Sequence, residues 1–176
     1  MGLLYRATTR LMNIGANPGT SSYDFSQNPE RQNFEGFLES KRPSMSHSRL
    51  ASWFACDSPE RAARYLEVQL DYDQDSREGF LFAVEMPSPS KQPIVLVDAI
   101  VRALREDESA TADYLANEYW QPTQPWRFWE YTSDEISTVR DRLELPDVIA
   151  RSAVSMDYAS DRKRLNEFLR LRADSV

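Results

Sequence analysis

Apolar and polar positions follow two rhythms along this chain, one of period two and one helical. Leu3 to Thr8 is an apolar, β-prone run carrying Tyr5 and Arg6, and it predicts a strand. Residues 13–29 are rich in Asn, Gly, Ser and Pro and predict a long loop. From Glu30 to Ser40, Phe34, Phe37 and Leu38 recur at helical spacing. Pro43 to His47 is a polar connection, and Leu50 to Ala55 predicts a short strand on the β-propensity of Trp53 and Phe54. Asp57-Ser58-Pro59-Glu60 is a helix start: a capping side chain, proline in the first turn and an acid near the positive end of the dipole. That helix is expected to run to about Leu70, with Ala62, Tyr65, Leu66 and Gln69 on one stripe.

Asp71 to Glu78 reads as an acidic turn, and Phe80 to Glu85 as a strand that stops at Pro87. Residues 87–93 form a Pro/Ser/Lys linker, followed by an apolar strand from Ile94 to Val97 and a helix over 99–105. Asp107-Glu108-Ser109 breaks the helix, and Ala110 to Trp120 predicts the next one. Pro122 and Pro125 frame an aromatic loop, after which Trp129–Tyr131 and Glu135–Val139 read as extended. Residues 146–154 fit either periodicity, and a final helix is expected over about 160–172. Strands and helices interleave without a steady βαβ beat and no internal repeat is visible, so the expected class is α+β in a single domain spanning 1–176.

Composition narrows the function. A length of 176 residues with 41% hydrophobic and 11% aromatic residues supports one folded core. A net charge of -7 argues against a broad basic grip on nucleic acid. One cysteine, Cys56, forbids an internal disulfide and fits a reducing compartment. With no long apolar run and no signal-type N-terminus, the expectation is a soluble, cytoplasmic protein without membrane contact.

Several chemistries lose support. The five glycines form no phosphate-cradling loop, and one histidine with one cysteine makes a metal site a poor expectation. A Ser-His-Asp triad would need His47, and no serine elbow accompanies it. The acidic stretch Asp71 to Asp75 fits a calcium loop poorly. Paired-carboxylate chemistry stays open. What remains is a pair of charges in apolar company, Arg6 near the start and Glu130 near a late strand. A charge on a strand is costly to bury without a partner or ligand.

Three segments carry a resemblance: Leu4-Tyr5-Arg6, Leu50-Ala51-Ser52-Trp53-Phe54-Ala55, and Trp129-Glu130-Tyr131-Thr132 leading into Ile136 to Val139. Their order resembles the ADP-ribosyltransferase superfamily, which places an Arg or His on the first strand, a Ser or Tyr on a middle strand and a Glu at the start of a late strand. The resemblance extends to an uncharacterised bacterial branch with a Phe-Glu-x-x-x-Glu helix, a Ser-Arg-Leu-x-Ser strand entry and an Ala-x-x-Tyr-Trp helix. Phe34-Glu35, Ser48-Arg49-Leu50-Ala51-Ser52 and Ala116-Asn117-Glu118-Tyr119-Trp120 match that layout, so that residues 3–140 are covered. Each motif is degenerate alone, and their order carries the signal.

The resemblance implies a compact fold with a split antiparallel or mixed sheet, flanking helices and a cleft for NAD as substrate. Glu130, Arg6 and Ser52 would be the catalytic residues, and Tyr5, Arg6, Ser48, Ser52 and Trp53 would bind NAD. Arg6 would hold the pyrophosphate or adenosine ribose, Ser52 the nicotinamide ribose or the glutamate, and Tyr5 or Trp53 would stack on nicotinamide. Glu130 would take a ribose hydroxyl and stabilise the developing cation. Phe128 stands where members that modify arginine carry Glu or Gln, which counts against an arginine acceptor. The implied partners are NAD, a macromolecular acceptor, and an antitoxin or inhibitor if the protein is a toxin. Plainer roles compete: Arg6 paired with a surface acid, Glu130 on a rim, Ser48 and Ser52 as turn serines, and the aromatic rings as core. The rival functions are an NAD glycohydrolase and an acidic, non-enzymatic interaction protein binding a basic partner.

Overall fold

A computed structural model of the protein describes residues 2–17, 29–73, 79–135, 137–146 and 148–173. The strands among them are β1 (Leu4–Thr8), β2 (Trp53–Ala55), β3 (Phe80–Glu85), β4 (Ser90–Pro93), β5 (Trp129–Ser133) and β6 (Thr138–Leu143). The helices are α1 (Pro29–Ser40), α2 (Pro59–Asp73), α3 (Val95–Arg105), α4 (Ser109–Trp120) and α5 (Val148–Ala173). The class is α+β. The strands form two three-stranded sheets, ordered β1-β3-β6 and β2-β5-β4. Every strand pairing in them is antiparallel, so the mixed alternative does not hold for the described strands. The sheet is split. One backbone bridge joins its halves: Tyr5 N–H donates to the Cys56 carbonyl at 2.8 Å and Cys56 N–H to the Tyr5 carbonyl at 2.7 Å.

Local sequence accounts for most elements. Ser58 caps α2 by accepting the Arg61 N–H at 3.2 Å, with Pro59 in the first turn as expected. Helix α3 ends where Asp107 turns left-handed (φ 56) and Glu108 N–H reaches the Ala103 carbonyl at 2.8 Å, closing a Schellman turn.

Four of the differences from expectation bear on the site or the core. The apolar run at Ile94–Val97 is not a strand. Val95, Leu96, Ala99, Ile100 and Ala103 form the buried face of α3, and the strand lies in the polar linker before it. There, Gln92 and Pro93 pair with Glu130 and Trp129 of β5; Pro93 is tolerated because β4 is an edge strand. The second difference is at residues 48–52, which turn rather than extend: Ala51 and Ser52 N–H donate to the Ser48 and Arg49 carbonyls, and β2 starts only at Trp53. Third, β6 runs from Thr138 rather than Glu135, with Ile136 outside the described residues. Fourth, α5 begins at Val148, well before residue 160, because Val154 and Tyr158 pack on the α2 side of the core and override β-branched propensity. Residues 71–73 of the expected acidic turn are instead the end of α2, which runs past Leu70 to Asp73; residues 74–78 of that turn, and residues 18–28 of the expected loop at 13–29, lie outside the described residues. The start of that loop is tied to β6: Gly15 (φ 80) donates its N–H to the Val139 carbonyl at 2.8 Å, and Val139 N–H returns to the Ala16 carbonyl at 3.2 Å.

The core has three parts. Phe34, Leu38, Leu96, Ile100, Leu115, Tyr119, Trp120 and Trp126 knit α1, α3 and α4 together. Ala7, Cys56, Ala62, Leu66, Leu81, Ile94 and Phe128 fill the space between α2 and the strands. Leu4, Ala55, Phe82, Val84, Met86 and Val139 fill the third. Among the described residues, no helix is long and apolar enough to cross a membrane.

Candidate functional site

The site assembles where the split sheet closes. Tyr5 and Arg6 come from β1, Phe54 and Ala55 from β2, Ala62 and Tyr65 from α2, and Glu130 from β5; all line one recess, with Cys56 and Ile94. Arg6 and Glu130, from distant parts of the chain, therefore face the same space. The recess has a volume of about 10 Å³, close to the room one water needs.

Arg6 is half-buried and incompletely used. Its Nη1 donates to the Phe54 carbonyl at 2.7 Å, and its guanidinium lies 4.7 Å from the centre of the Trp53 ring. Its Nε is buried without a hydrogen-bond partner, and no carboxylate among the described residues pairs with it. Burial pulls the Arg6 guanidinium below its ordinary pKa, with the neighbouring Tyr65 and Cys56 opposing. The donor Trp53 Nε1 and the hydroxyl of Ser52 are likewise buried without a partner. Native structures leave few such groups, and each needs an explanation, a ligand among them.

Glu130 is 2% exposed and held from behind. Its Oε1 accepts from Arg49 Nη1 and from the Tyr119 hydroxyl, and Arg49 Nη1 also donates to that hydroxyl. Arg49 is 1% exposed. Its other edge forks onto Glu35, Nε to Oε2 at 2.8 Å and Nη2 to Oε1 at 3.2 Å, and Arg31 adds an ion pair to Glu35 at 2.9 Å. The guanidinium lies 4.7 Å from the Phe54 ring centre and 5.4 Å from that of Tyr119. Burial opposes the Arg49 charge, but Glu130 foremost, with Tyr119 and Glu35, raises its pKa well above the ordinary value. Burial would lift the Glu35 carboxyl; Arg49 and Arg31 together hold it below the ordinary value instead. In the recess itself, burial and then the Glu130 charge push up both the Cys56 thiol and the Tyr65 phenol.

The approach to β5 is stapled by two buried carboxylates. Glu118 accepts from Thr123 N–H and Gln124 N–H, the Thr123 hydroxyl and Trp126 Nε1, all at 2.7 to 2.9 Å. Asp161 accepts from Arg127 N–H and Phe128 N–H at 2.9 and 2.8 Å. These bonds set where Glu130 emerges. Trp120, Trp126 and Phe128 are buried core, and Trp129 is half-buried under Lys91.

Among the expected site residues, Tyr5, Arg6 and Glu130 meet at the recess. Trp53 is linked to it through Arg6, whereas Ser52 does not line it. Ser48 faces elsewhere: its hydroxyl donates to Glu39 at 3.0 Å and its N–H to Asp134 at 3.4 Å. His47 bonds the Asp134 carboxylate at 2.5 Å through Nδ1 and the Ser88 carbonyl at 2.7 Å through Nε2, so no serine hydroxyl faces it as a triad would require. Glu35, Arg49 and Tyr119 were visible in sequence only as motif members without a role, and Tyr65 only as a core residue. Among the described residues no group of three or more His, Cys, Asp or Glu is placed to hold a metal ion. Comparison with known proteins finds no matching family model, no matching curated protein and no matching solved structure.

Proposed function

We propose that this protein is a mono-ADP-ribosyltransferase that cleaves NAD at the nicotinamide N-glycosidic bond and passes ADP-ribose to a macromolecular acceptor, protein or nucleic acid. One observation carries the reading: Arg6 and Glu130 line the same recess, and Arg6 keeps a buried donor without a partner. A guanidinium with free N–H groups suits the pyrophosphate of a dinucleotide, which it can grip as a rigid fork. Glu130 suits the nicotinamide ribose, where it accepts a hydroxyl and faces the positive charge that grows at C1′. As the C1′–N bond breaks, its electron pair goes to the ring nitrogen, and neutral nicotinamide leaves. The acceptor nucleophile then bonds to C1′ and gives up its proton.

The recess holds about one water, so NAD enters only if it widens. Beside the recess the half-sheets are joined by the Tyr5–Cys56 bridge and by the Arg6–Phe54 hydrogen bond, and widening would act on these links. Phe128 is buried in the core two residues before Glu130, so no second carboxylate at that position can activate an arginine acceptor. When no acceptor is in place, water takes its role and the outcome is NAD hydrolysis.

The test is nicotinamide release from NAD, with and without cell extract. Wild type should release it, and Glu130→Gln should lower the rate by about 10²–10³. If wild type releases none under either condition, the reading fails. Release that survives Glu130→Gln would keep the activity and remove this site.

A further inference from the structure

We infer that Arg49, Tyr119 and Glu35 form a positioning unit that clamps Glu130 by one carboxylate oxygen and leaves the other free for the ligand. The inference rests on the NAD-cleavage reading of the recess. Both hydrogen bonds to Glu130 from within the cluster fall on Oε1, one from Arg49 and one from Tyr119. Oε2 accepts none among the described residues. Glu130 nonetheless reaches the recess, whereas Glu35, Arg49 and Tyr119 do not line it. The carboxylate is thus anchored on one side and available on the other.

The clamp is rigid for a physical reason. A guanidinium presents its N–H groups in one plane. Glu35 takes two of them as a fork and fixes that plane. The Phe54 and Tyr119 rings flank the same guanidinium, which restricts its tilt. Nη1 is then left aimed at Oε1, and the Tyr119 hydroxyl closes a three-way contact by accepting from Nη1 and donating to Oε1. The four residues come from α1, the 48–52 turn, α4 and β5, so tertiary packing rather than local sequence sets the angle of Glu130. For a group that must face a charge developing at one carbon, that angle matters as much as the charge.

A structural ion pair that happens to border a recess predicts something different, and turnover separates the two. Tyr119→Phe keeps the ring, its packing and the Arg49–Glu130 pair, and removes only the hydroxyl. The positioning role predicts that kcat per folded molecule, read as nicotinamide release, falls roughly tenfold, while KM for NAD stays within twofold of wild type. Arg49→Lys keeps the charge but cannot fork onto Glu35 while reaching Oε1, so it should not rescue kcat. A purely structural role predicts a lower urea midpoint with unchanged kcat per folded molecule, and that result in both variants overturns the inference. Wild type that releases no nicotinamide overturns the parent reading and this one together. Wild type that releases it while both variants match it overturns this one alone.

Discussion

Arg6 and Arg49 both bring a guanidinium to the neighbourhood of Glu130, both against aromatic rings, and they differ in how far their hydrogen bonds and charge are answered. Arg49 is enclosed, forked onto Glu35, bonded to Glu130 and Tyr119, and flanked by aromatic rings. Its charge is answered on both edges, and its pKa is held well above the ordinary value. Arg6 has one carbonyl, one ring and an idle Nε, and burial pulls its pKa down. Saturation marks a strut, and the idle Nε of Arg6 is the opening on which the proposed ligand role rests. Glu130 stands between the two conditions, with Oε1 used by the strut and the recess beside it.

The sharpest way to break this contrast is to remove each charge. Arg49→Met leaves Glu35 and Glu130 buried without their common partner, which should cost about 3–5 kcal/mol. Arg6→Met strands no carboxylate, only the Phe54 carbonyl, and should cost about 1–2 kcal/mol. Urea denaturation of the two variants reads both values. Similar losses would abolish the distinction, whereas the expected gap supports it.

A smaller effect concerns the frame around Arg49, two residues after His47. Both His47 nitrogens face acceptors, the Asp134 carboxylate and the Ser88 carbonyl, so the clasp is complete only with the ring doubly protonated. Ser90 accepts the His47 backbone N–H, and the Glu135 charge also favours the cationic ring. Burial lowers the His47 pKa, but the Ser88 bond and the Asp134 and Glu135 charges raise it overall. Its stabilisation is therefore full below the unfolded value of about 6.5 and is lost as pH rises through the folded value. Asp134 has the opposite shift: burial raises its pKa, but the His47 bond holds it lower overall. Its contribution is present above about pH 4 and is lost as pH falls through the depressed folded value. The clasp should be strongest between about pH 4 and 6.5, with an amplitude of about 1 kcal/mol or less because the pair is partly exposed. Since the chain has one histidine, NMR titration of that ring and the urea midpoint against pH both report on it directly. A flat wild-type profile across neutral pH, matching His47→Gln, would refute the clasp.

The smallest effect lies on the unsaturated side. The Ser52 hydroxyl is buried without a partner, so Ser52→Ala should leave stability within about 0.5 kcal/mol of wild type, or raise it slightly. A thermal-unfolding loss several times larger would show that the hydroxyl already has a structural partner, and would move Ser52 to the Arg49 class.

The sequence carried some of this plainly and some not at all. Helices α1, α2 and α4 and strand β3 announce themselves because their stripes, caps and breakers are local. Strand β4 was hidden, since Ser90-Lys91-Gln92-Pro93 is extended on account of its partner β5 and not its own propensity. The same holds for the site. Arg6 and Glu130 stood out as charges in apolar company. Arg49 also lies in a motif segment, but nothing in Ser48 to Ser52 says that its partners are Glu35 and Tyr119, in two helices on either side of it in sequence. A single chain records which residues are charged, and only folding decides which charges meet.

The pairing of Gly15 and Ala16 with Val139 has a consequence for how copies of this protein meet one another. Strand β6 is an outer strand, and an outer strand with open N–H and C=O groups is a template for another chain. Here a loop strap occupies the hydrogen-bonding groups at Val139, and the exposed Arg140, Asp141 and Arg142 follow it directly. The strap and the charges leave no long apolar edge to extend, so intermolecular β-stacking along this side of the molecule is discouraged before it can nucleate.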